Sequence, residues 1–276
     1  MLMFNDNRNI PYGPPMSAQT TGETVHEIDD FDVETFTPIA ANFGQDRYGF
    51  VVTPNVDHMI RYHEDPQFRA LYSSAAYILM DSRFASRLLR VFKGLRLRVC
   101  TGADLTAALF ARVARHTDRI ALIGGTVKQR ERVAETYQLE NLQHHNPPAG
   151  FINDPQAVEE CLRFIEDASP FRFCFLAVGS PQQEIVAVLL QERGKARGLA
   201  LCVGASIDFL TGAEVRAPQW MQRAGLEWLY RLLRNPKRMT WRYLVRGPRI
   251  FFHLARARIV LRKPTALPPG SARSST

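Results

Sequence analysis

The sequence predicts an α/β protein in which mainly parallel strands are covered by helices and followed by a basic helical segment. Short, almost wholly apolar stretches alternate with stretches of helical spacing between residues 48 and 203. Continuously apolar strands are typical of parallel sheets that are buried on both faces. The second observation is charge, because residues 216–263 hold 13 Lys and Arg but only one acid, Glu227, whereas residues 1–215 sum to −5.

The alternation gives an order of elements. Residues 48–53 form a β-rich stretch that ends at Pro54, and helical spacing follows in residues 56–62 and 66–74, with Asp65 suited to cap the second helix. The remaining strands are predicted at 77–80, 119–123, 171–178 and 199–203, and the remaining helices at 104–116, 127–139, 155–168 and 181–192.

The basic segment, residues 216–263, predicts short amphipathic helices, because prolines stand at three helix-start positions, Pro218, Pro236 and Pro248. Aromatic residues recur among its arginines, namely Trp220, Trp228, Tyr230, Trp241 and Tyr243. This mixture suits the headgroup layer of an anionic membrane. It would also suit nucleic acid, but no nucleic-acid-binding motif is present and the rest of the chain is acidic, so we expect a lipid surface and no nucleic acid.

The ends of the chain and its cysteines exclude several classes of protein. The N-terminal residues lack the apolar core of a secretory signal, so we expect 1–24 to be a flexible leader and 264–276 a flexible tail. No uncharged apolar run reaches the roughly 18 residues of a membrane-spanning helix. The four cysteines stand singly, which predicts buried free thiols rather than a zinc site or disulfides. The histidines lack metal-ligand spacing, and we expect surface or loop positions for His58, His63, His116, His144 and His145.

Polar or glycine-rich residues follow the predicted strands, at the edge where parallel sheets bind ligands. They are Thr53, Asn55, Asp81, Gly124, Gly125, the stretch 179–184 (GSPQQE) and the stretch 204–208 (GASID). Asp81 could act as a general base or could cap a helix that begins near Ser82, and Asp208 has the same two interpretations. Thr53 and Asn55 could bind a ligand or form a turn with an Asx cap.

The glycine-containing loops also allow two interpretations. Gly124 and Gly125 could bring the backbone close to an anion at a helix start, or could form an ordinary tight turn. No complete GxGxxG follows, which argues against a dinucleotide site. In GSPQQE, the glutamines, Gln182 and Gln183, could hydrogen-bond a sugar or base, or the stretch could be an ordinary helix cap in which Glu184 complements the helix dipole.

These residues, taken in order, resemble the WecG/TagA/CpsF glycosyltransferases from about residue 25 to about residue 255. The resemblance is carried by TPNVDH at 53–58, TGADL at 101–105, IGG at 123–125, GSPQQE at 179–184, GASIDF at 204–209, RAP at 216–218 and GLEWLYR at 225–231. It implies transfer of a sugar from a UDP-sugar to an undecaprenyl-diphosphate-linked acceptor, with inversion and without metal or other cofactor. It also implies a two-part α/β body, residues 25–215, with a basic appendage, residues 216–263, that reaches the membrane.

The resemblance implies further properties. It places the protein at the cytoplasmic membrane face, in the synthesis of teichoic acid linkage units, common antigen or exopolysaccharide. It leaves open whether the protein forms a homo-oligomer. By position, Asp81 matches the catalytic base, and Arg98 matches an arginine that neutralises charge on the leaving UDP. Further matches place Thr53, Asn55 and Gln182 in the pocket, Gly124, Gly125, Gly179 and Asp208 around the nucleotide, and Arg216, Arg223 and Arg231 at the diphosphates.

The chain departs from the family pattern after Asp81. The family usually has a Gly-rich DGxG stretch there, whereas this chain has Ser82-Arg83-Phe84 and reaches its Ala-Ser early. The departure supports an alternative, a catalytically altered protein that binds a nucleotide sugar at the membrane. It also makes Arg83 a candidate ligand for an acidic sugar or a diphosphate.

Overall fold

The computed structural model describes residues 24–240 and 247–262, without the side chains of Arg238 and Met239. The predicted tail, nearly all of the predicted leader, and Trp241 and Tyr243 therefore lie outside the described residues. The strands are β1 (Val25–Ile28), β2 (Tyr48–Val52), β3 (Tyr77–Ile78), β4 (Ile120–Ile123), β5 (Leu142–His145), β6 (Phe173–Leu176), β7 (Gly198–Cys202) and β8 (Arg258–Leu261).

The helices alternate with the strands through most of the chain. They are α1 (Val33–Ala41), α2 (Val56–Glu64), α3 (Pro66–Ala70), α4 (Arg83–Lys93), α5 (Gly102–Arg112), α6 (Val127–Tyr137), α7 (Pro155–Asp167), α8 (Gln182–Arg193), α9 (Ser206–Leu210), α10 (Gln219–Arg223), α11 (Glu227–Arg234), α12 (Pro236–Thr240) and α13 (Arg249–Arg256).

The main sheet has six parallel strands in the order β3-β2-β7-β6-β4-β5. Successive residues of its strands pack into two apolar clusters on opposite faces, one with α7 and α8 and the other with α1 and α5. The α/β prediction is therefore confirmed. From β4 the chain crosses outward to β5, whereas from β6 it crosses to β7 in the opposite direction, so the ends of β4 and β6 form a topological switch point.

A third apolar cluster lies beyond the β3 edge and includes the C-terminal residues of the described chain. Ile250 and Leu254 of α13 are fully buried there with residues of α2 and α4. Next to it β8 pairs in parallel with β1, and the Arg262 guanidinium lies 3.2 Å from the Asp29 carboxylate. Residues 249–262 thus pack on the body, although the sequence places them in the basic segment.

Ile250→Val should lower the free energy of unfolding by about 0.5–1.5 kcal/mol, because it removes a methyl group from a filled core. A larger truncation at an exposed position of the same basic segment, Leu233→Ala, should change stability by less than about 0.5 kcal/mol. Urea unfolding of both variants measures the difference. Equal losses would contradict the packing of α13 as described.

The boundaries of the elements agree with most sequence predictions, and the exceptions have a physical cause. Asp65 caps α3 as expected, and all four cysteines are buried and free. The expectation of surface or loop positions was wrong for His58, which is buried on α2 against Phe68. His144 and His145 belong to β5, a strand that the sequence did not predict. Only Leu142 of this edge strand is buried, so its apolar signal is weak.

Candidate functional site

Asp81 stands on an extension of the β3 edge strand. The Leu79 N–H donates to the Val52 carbonyl at 2.9 Å, and the Asp81 N–H donates to the Pro54 carbonyl at 3.0 Å. The helix that follows is capped by Ser82, whose hydroxyl oxygen accepts from Ala85 N–H at 3.1 Å. The interpretation of Asp81 as an N-cap is therefore wrong. No hydrogen bond within the described part of the chain engages its carboxylate, which leaves both oxygens for a ligand.

A cavity of about 340 Å³ lies beside Asp81, between the body and the basic segment. The body contributes the starts of α2 and α4, including Asn55 and Arg83, and the basic segment contributes α11 and the start of α13, including Arg231. Asn55 also caps α2, because its side-chain oxygen accepts from the Asp57 and His58 N–H groups. Its amide N–H groups remain available to donate to a ligand.

Burial raises the pKa of Asp81 to about 7, because few water molecules can solvate a carboxylate on the cavity wall. Arg231 and Arg216 oppose this shift, whereas Glu227 and Asp104 add to it. A carboxylate with a pKa near neutrality is suited to accept a proton at physiological pH and release it afterwards.

Two arginines and two acids form a network next to Asp81. Arg216 donates to the Asp104 carboxylate, and its other terminal nitrogen lies 3.8 Å from Glu227. Arg83 makes the same two pairings, at 3.4 Å to Asp104 and 3.9 Å to Glu227. Burial alone would raise the pKa of Asp104, but hydrogen bonds from Arg216 and Thr101 lower it. The network joins the basic segment to the N-terminus of α5.

Arg231 lies between this cavity and a second one. The second cavity, of about 230 Å³, is lined by residues that include Arg216, Arg231 and Arg234. The Arg231 guanidinium stacks on Phe209 of α9, 5.2 Å from the ring centroid. Arg231 is thus a cation shared by the Asp81 cavity and a basic pocket beside α9.

Polar side chains converge where β2 and β7 end. The Thr53 hydroxyl donates to the Cys202 carbonyl at 3.0 Å, so its lone pairs remain free to accept. Gly102 packs against this group, since a Cβ there would lie 3.1 Å from the Thr53 hydroxyl and 3.2 Å from that of Ser206. A side chain at position 102 would therefore require these hydroxyls to shift by a few tenths of an ångström.

The switch-point loops after β4 and β6 also touch. Gly124 has a φ of 92°, and a Cβ on it would lie 2.7 Å from the Ala177 carbonyl oxygen, so only glycine fits. Gly125 packs near Gln129, whose amide donates to the Asp208 carboxylate at 2.7 Å. Asp208 lies inside the first turn of α9 and is hydrogen-bonded to α6. Because Ala205 occupies the cap position, the interpretation of Asp208 as an N-cap is wrong.

After β6 the chain turns at Gly179 and then begins α8. Gly179, with a φ of 81°, turns the chain, and the Gln182 amide folds back on that turn. Glu184 is fully buried beside Gln183, which donates to it at 2.9 Å, and burial raises the pKa of the Glu184 carboxyl. Gln183 also accepts from the Gly204 N–H at 2.9 Å, so it connects the loops after β6 and β7.

The sequence-predicted residues thus fall into three groups. Asn55, Asp81, Arg216 and Arg231 line the two cavities, and Thr53, Gly124, Gly125, Gly179 and Asp208 lie at the strand ends. The third group, Arg98, Gln182, Glu184 and Arg223, lines neither cavity, and the strand-end residues do not line one either. Arg98 is exposed and its N–H donates to Asp30 at 2.7 Å, while the Arg223 carbonyl accepts from Arg87.

Sequence reasoning missed the acidic half of the network. Asp104 is within the TGAD motif, and Glu227 is the single acid of residues 216–263. That isolation was the available signal, because one acid among 13 basic residues is well placed to pair with some of them. Nothing in the sequence around apolar residues such as Phe84 and Phe251 indicated that they line a cavity.

No helix in the described ranges is long and apolar enough to cross a bilayer. Within the same ranges, no group of three or more His, Cys, Asp or Glu side chains is placed to hold a metal ion.

Comparison with known protein families matches residues 24–264 to the glycosyl transferase WecG/TagA/CpsF family. The match includes every strand and helix of the described chain, and with them both cavities and the network. The chain therefore belongs to the WecG/TagA/CpsF family of glycosyltransferases, enzymes that take part in the synthesis of cell-surface polysaccharides.

Proposed function

We propose that this glycosyltransferase moves a sugar, with inversion and without a metal, from a UDP-sugar to a polyprenyl-diphosphate-linked saccharide. The observation that carries the proposal is Asp81, a carboxylate without hydrogen bonds to the described residues, with a pKa of about 7, on the wall of a cavity that Arg231 also lines. A base and a cation at one cavity are what a direct displacement with an anionic leaving group requires.

In this mechanism Asp81 takes the proton of an acceptor hydroxyl while that oxygen forms a bond to C1 of the donor sugar. The bond from C1 to the UDP oxygen breaks on the opposite face, so the configuration at C1 inverts. The electron pair of that bond leaves with UDP, whose additional negative charge falls on the diphosphate. Arg231, which lines both cavities, and Arg216, which lines the second one, supply positive charge for the diphosphate, because bidentate guanidinium groups suit phosphate oxygens.

We place the nucleotide of the donor at the switch point between β4 and β6. Gly124, Gly125 and Gly179 bring backbone close to this edge without side chains in the way. Asp208 and Gln129 offer hydrogen-bonding groups on the α9 side of the same edge. Open α/β sheets bind their ligands at such points, beyond the carboxyl ends of the strands.

We also propose that the protein works at the cytoplasmic face of a membrane, held by the basic segment. Its helix α11 buries no residue, and Trp220 and Leu233 are exposed at 65% and 71%. Exposed apolar side chains among arginines favour the interface of an anionic bilayer, with each basic residue contributing on the order of 1 kcal/mol.

UDP and at least one UDP-sugar should raise the melting temperature of the protein, because they bind the folded state only. A thermal-shift titration with UDP, ADP and a panel of UDP-sugars measures this, with ADP as the control for non-specific diphosphate binding. Stabilisation by no uridine nucleotide would overturn the proposal. Stabilisation by UDP without transfer to any lipid-diphosphate acceptor would instead favour the catalytically altered alternative.

The kcat/KM of sugar transfer should rise as the pH increases, with a midpoint near the Asp81 pKa of about 7. The direction follows from the base role, because below this pKa the carboxyl is protonated and cannot accept the acceptor's proton. Initial rates across the range, with the best donor and acceptor of the panel, give the profile. A flat profile, or activity that falls with rising pH, would contradict the role of Asp81 as the base.

A further inference from the structure

The cavity beside Asp81 has an apolar half to which the transfer chemistry gives no role. Val56 and Ile60 of α2, Phe84 of α4, Trp228 of α11 and Phe251 of α13 line it. The aliphatic and phenylalanine side chains among them offer no hydrogen bonds to sugar hydroxyls. A volume of about 340 Å³ lies within the range of roughly 300–1,000 Å³ that small-molecule sites occupy.

This apolar half continues to the protein surface through three phenylalanines. The Phe251 ring meets Phe84 on the cavity side at 6.3 Å and Phe92 at 6.2 Å, both edge to face. Phe251 and Phe92 are each 44% exposed, so the apolar lining does not end inside the protein. A long apolar ligand could therefore begin near Asp81 and leave the cavity across α4 and α13.

The rest of the cavity lining is polar and includes charged groups of both signs, Arg83 and Arg231 as well as Asp57, Asp81 and Glu227. The group suited to an anion is the buried Nη1 atom of Arg83, which makes no hydrogen bond with the described residues. The Glu227 carboxylate lies 3.9 Å from this nitrogen, beyond hydrogen-bonding distance. One cavity thus places side by side an apolar lining and a guanidinium nitrogen that no described residue hydrogen-bonds.

We propose that the apolar half of this cavity is a subsite for an isoprenoid chain, that of the lipid-linked acceptor. The first isoprene units lie among Val56, Phe84 and Phe251, the chain leaves past Phe92, and the diphosphate faces Arg83. The subsite rests on the proposed function for the identity of the ligand. Its chemistry follows from the lining, because a diphosphate joined to a branched hydrocarbon matches both halves at once.

The test measures binding of farnesyl diphosphate and of inorganic diphosphate by calorimetry. Farnesyl diphosphate should bind the wild-type protein at least about tenfold more tightly, because its chain buries apolar surface that inorganic diphosphate lacks. Phe251→Ser should weaken farnesyl diphosphate binding by about tenfold and leave inorganic diphosphate binding unchanged. Val56→Phe, which fills the subsite from the other side, should have the same selective effect.

Phe252→Ser is the matched control, because Phe252 is the next residue of α13 and is 56% exposed but does not line the cavity. It should bind farnesyl diphosphate as the wild-type protein does. The subsite is refuted if farnesyl diphosphate binds the wild-type protein no more tightly than inorganic diphosphate, or if the two serine variants lose affinity equally. Stabilisation by UDP reports separately on the proposed function and on folding of the variants, so a protein that responds to UDP but not to the isoprenoid keeps the function and loses the subsite.

Discussion

Asp81→Asn should lower the rate of sugar transfer by about 10²- to 10⁴-fold, because asparagine has the shape of aspartate but cannot accept the acceptor's proton. Binding of UDP should be nearly unchanged, since the substitution removes no side-chain volume and Asp81 lies outside the switch point between β4 and β6. The measurements are the initial rate of transfer and the shift in melting temperature with UDP.

The matched control is Asp57→Asn, which changes a second carboxylate on the wall of the same cavity. Asp57 lies in the first turn of α2, where a negative charge is favourable to the helix, so its substitution should cost mainly stability. Full activity in Asp81→Asn would remove Asp81 as the base. Equal losses in the two variants would show that the cavity needs negative charge in general and not a base at position 81.

Arg231→Ala should lower kcat by about 10²- to 10³-fold, the typical loss when one group that stabilises developing charge is removed. The guanidinium lines both cavities, so it is the cation best placed to stabilise the negative charge that develops on the diphosphate. KM for the donor should change less than kcat, because the interaction strengthens as the bond from C1 to oxygen breaks.

Arg234→Ala provides the comparison for Arg231. Arg234 lies on the same helix and lines the second cavity, but not the cavity that Asp81 lines. A general loss of positive charge would affect both variants alike, whereas the proposed mechanism requires a much greater loss of kcat at position 231. Steady-state kinetics of the two variants at one ionic strength separates these cases, since screening acts equally on both.

Strands and helices were predictable from the sequence where their local pattern of apolar residues or prolines was strong. Strands β6 and β7 are apolar throughout, and the sequence predicted both. The three prolines of the basic segment stand at the starts of α10, α12 and α13, as expected. Strands β1 and β8 were not predicted, because each is short and only partly buried and its partner lies at the other end of the described chain.

The site was predictable to the extent that it follows the strand-end rule. That rule pointed to Asp81, Asn55 and the switch-point glycines, and the structure brings Asp81 and Asn55 to one cavity. The pairing of Arg216 with Asp104 was not predictable, because it joins residues more than 100 positions apart. The apolar half of the cavity depends on α13 lying against α2 and α4, and local sequence contains no trace of that contact.

The parallel pairing of β1 with β8 has a consequence for how the protein is made. β1 is synthesised well before β8, so it cannot pair with β8 until residues 258–261 have left the ribosome. The walls that α11 and α13 contribute to the Asp81 cavity also arrive late, so the six-stranded sheet can form before the site does. A nascent chain released prematurely after α9 would hold the proposed base, Asp81, and the switch-point loops but not Arg231, and under the proposed mechanism it would be inactive. Because contacts between distant parts of a chain are slow to form, closure of the site is expected to be among the last steps of folding.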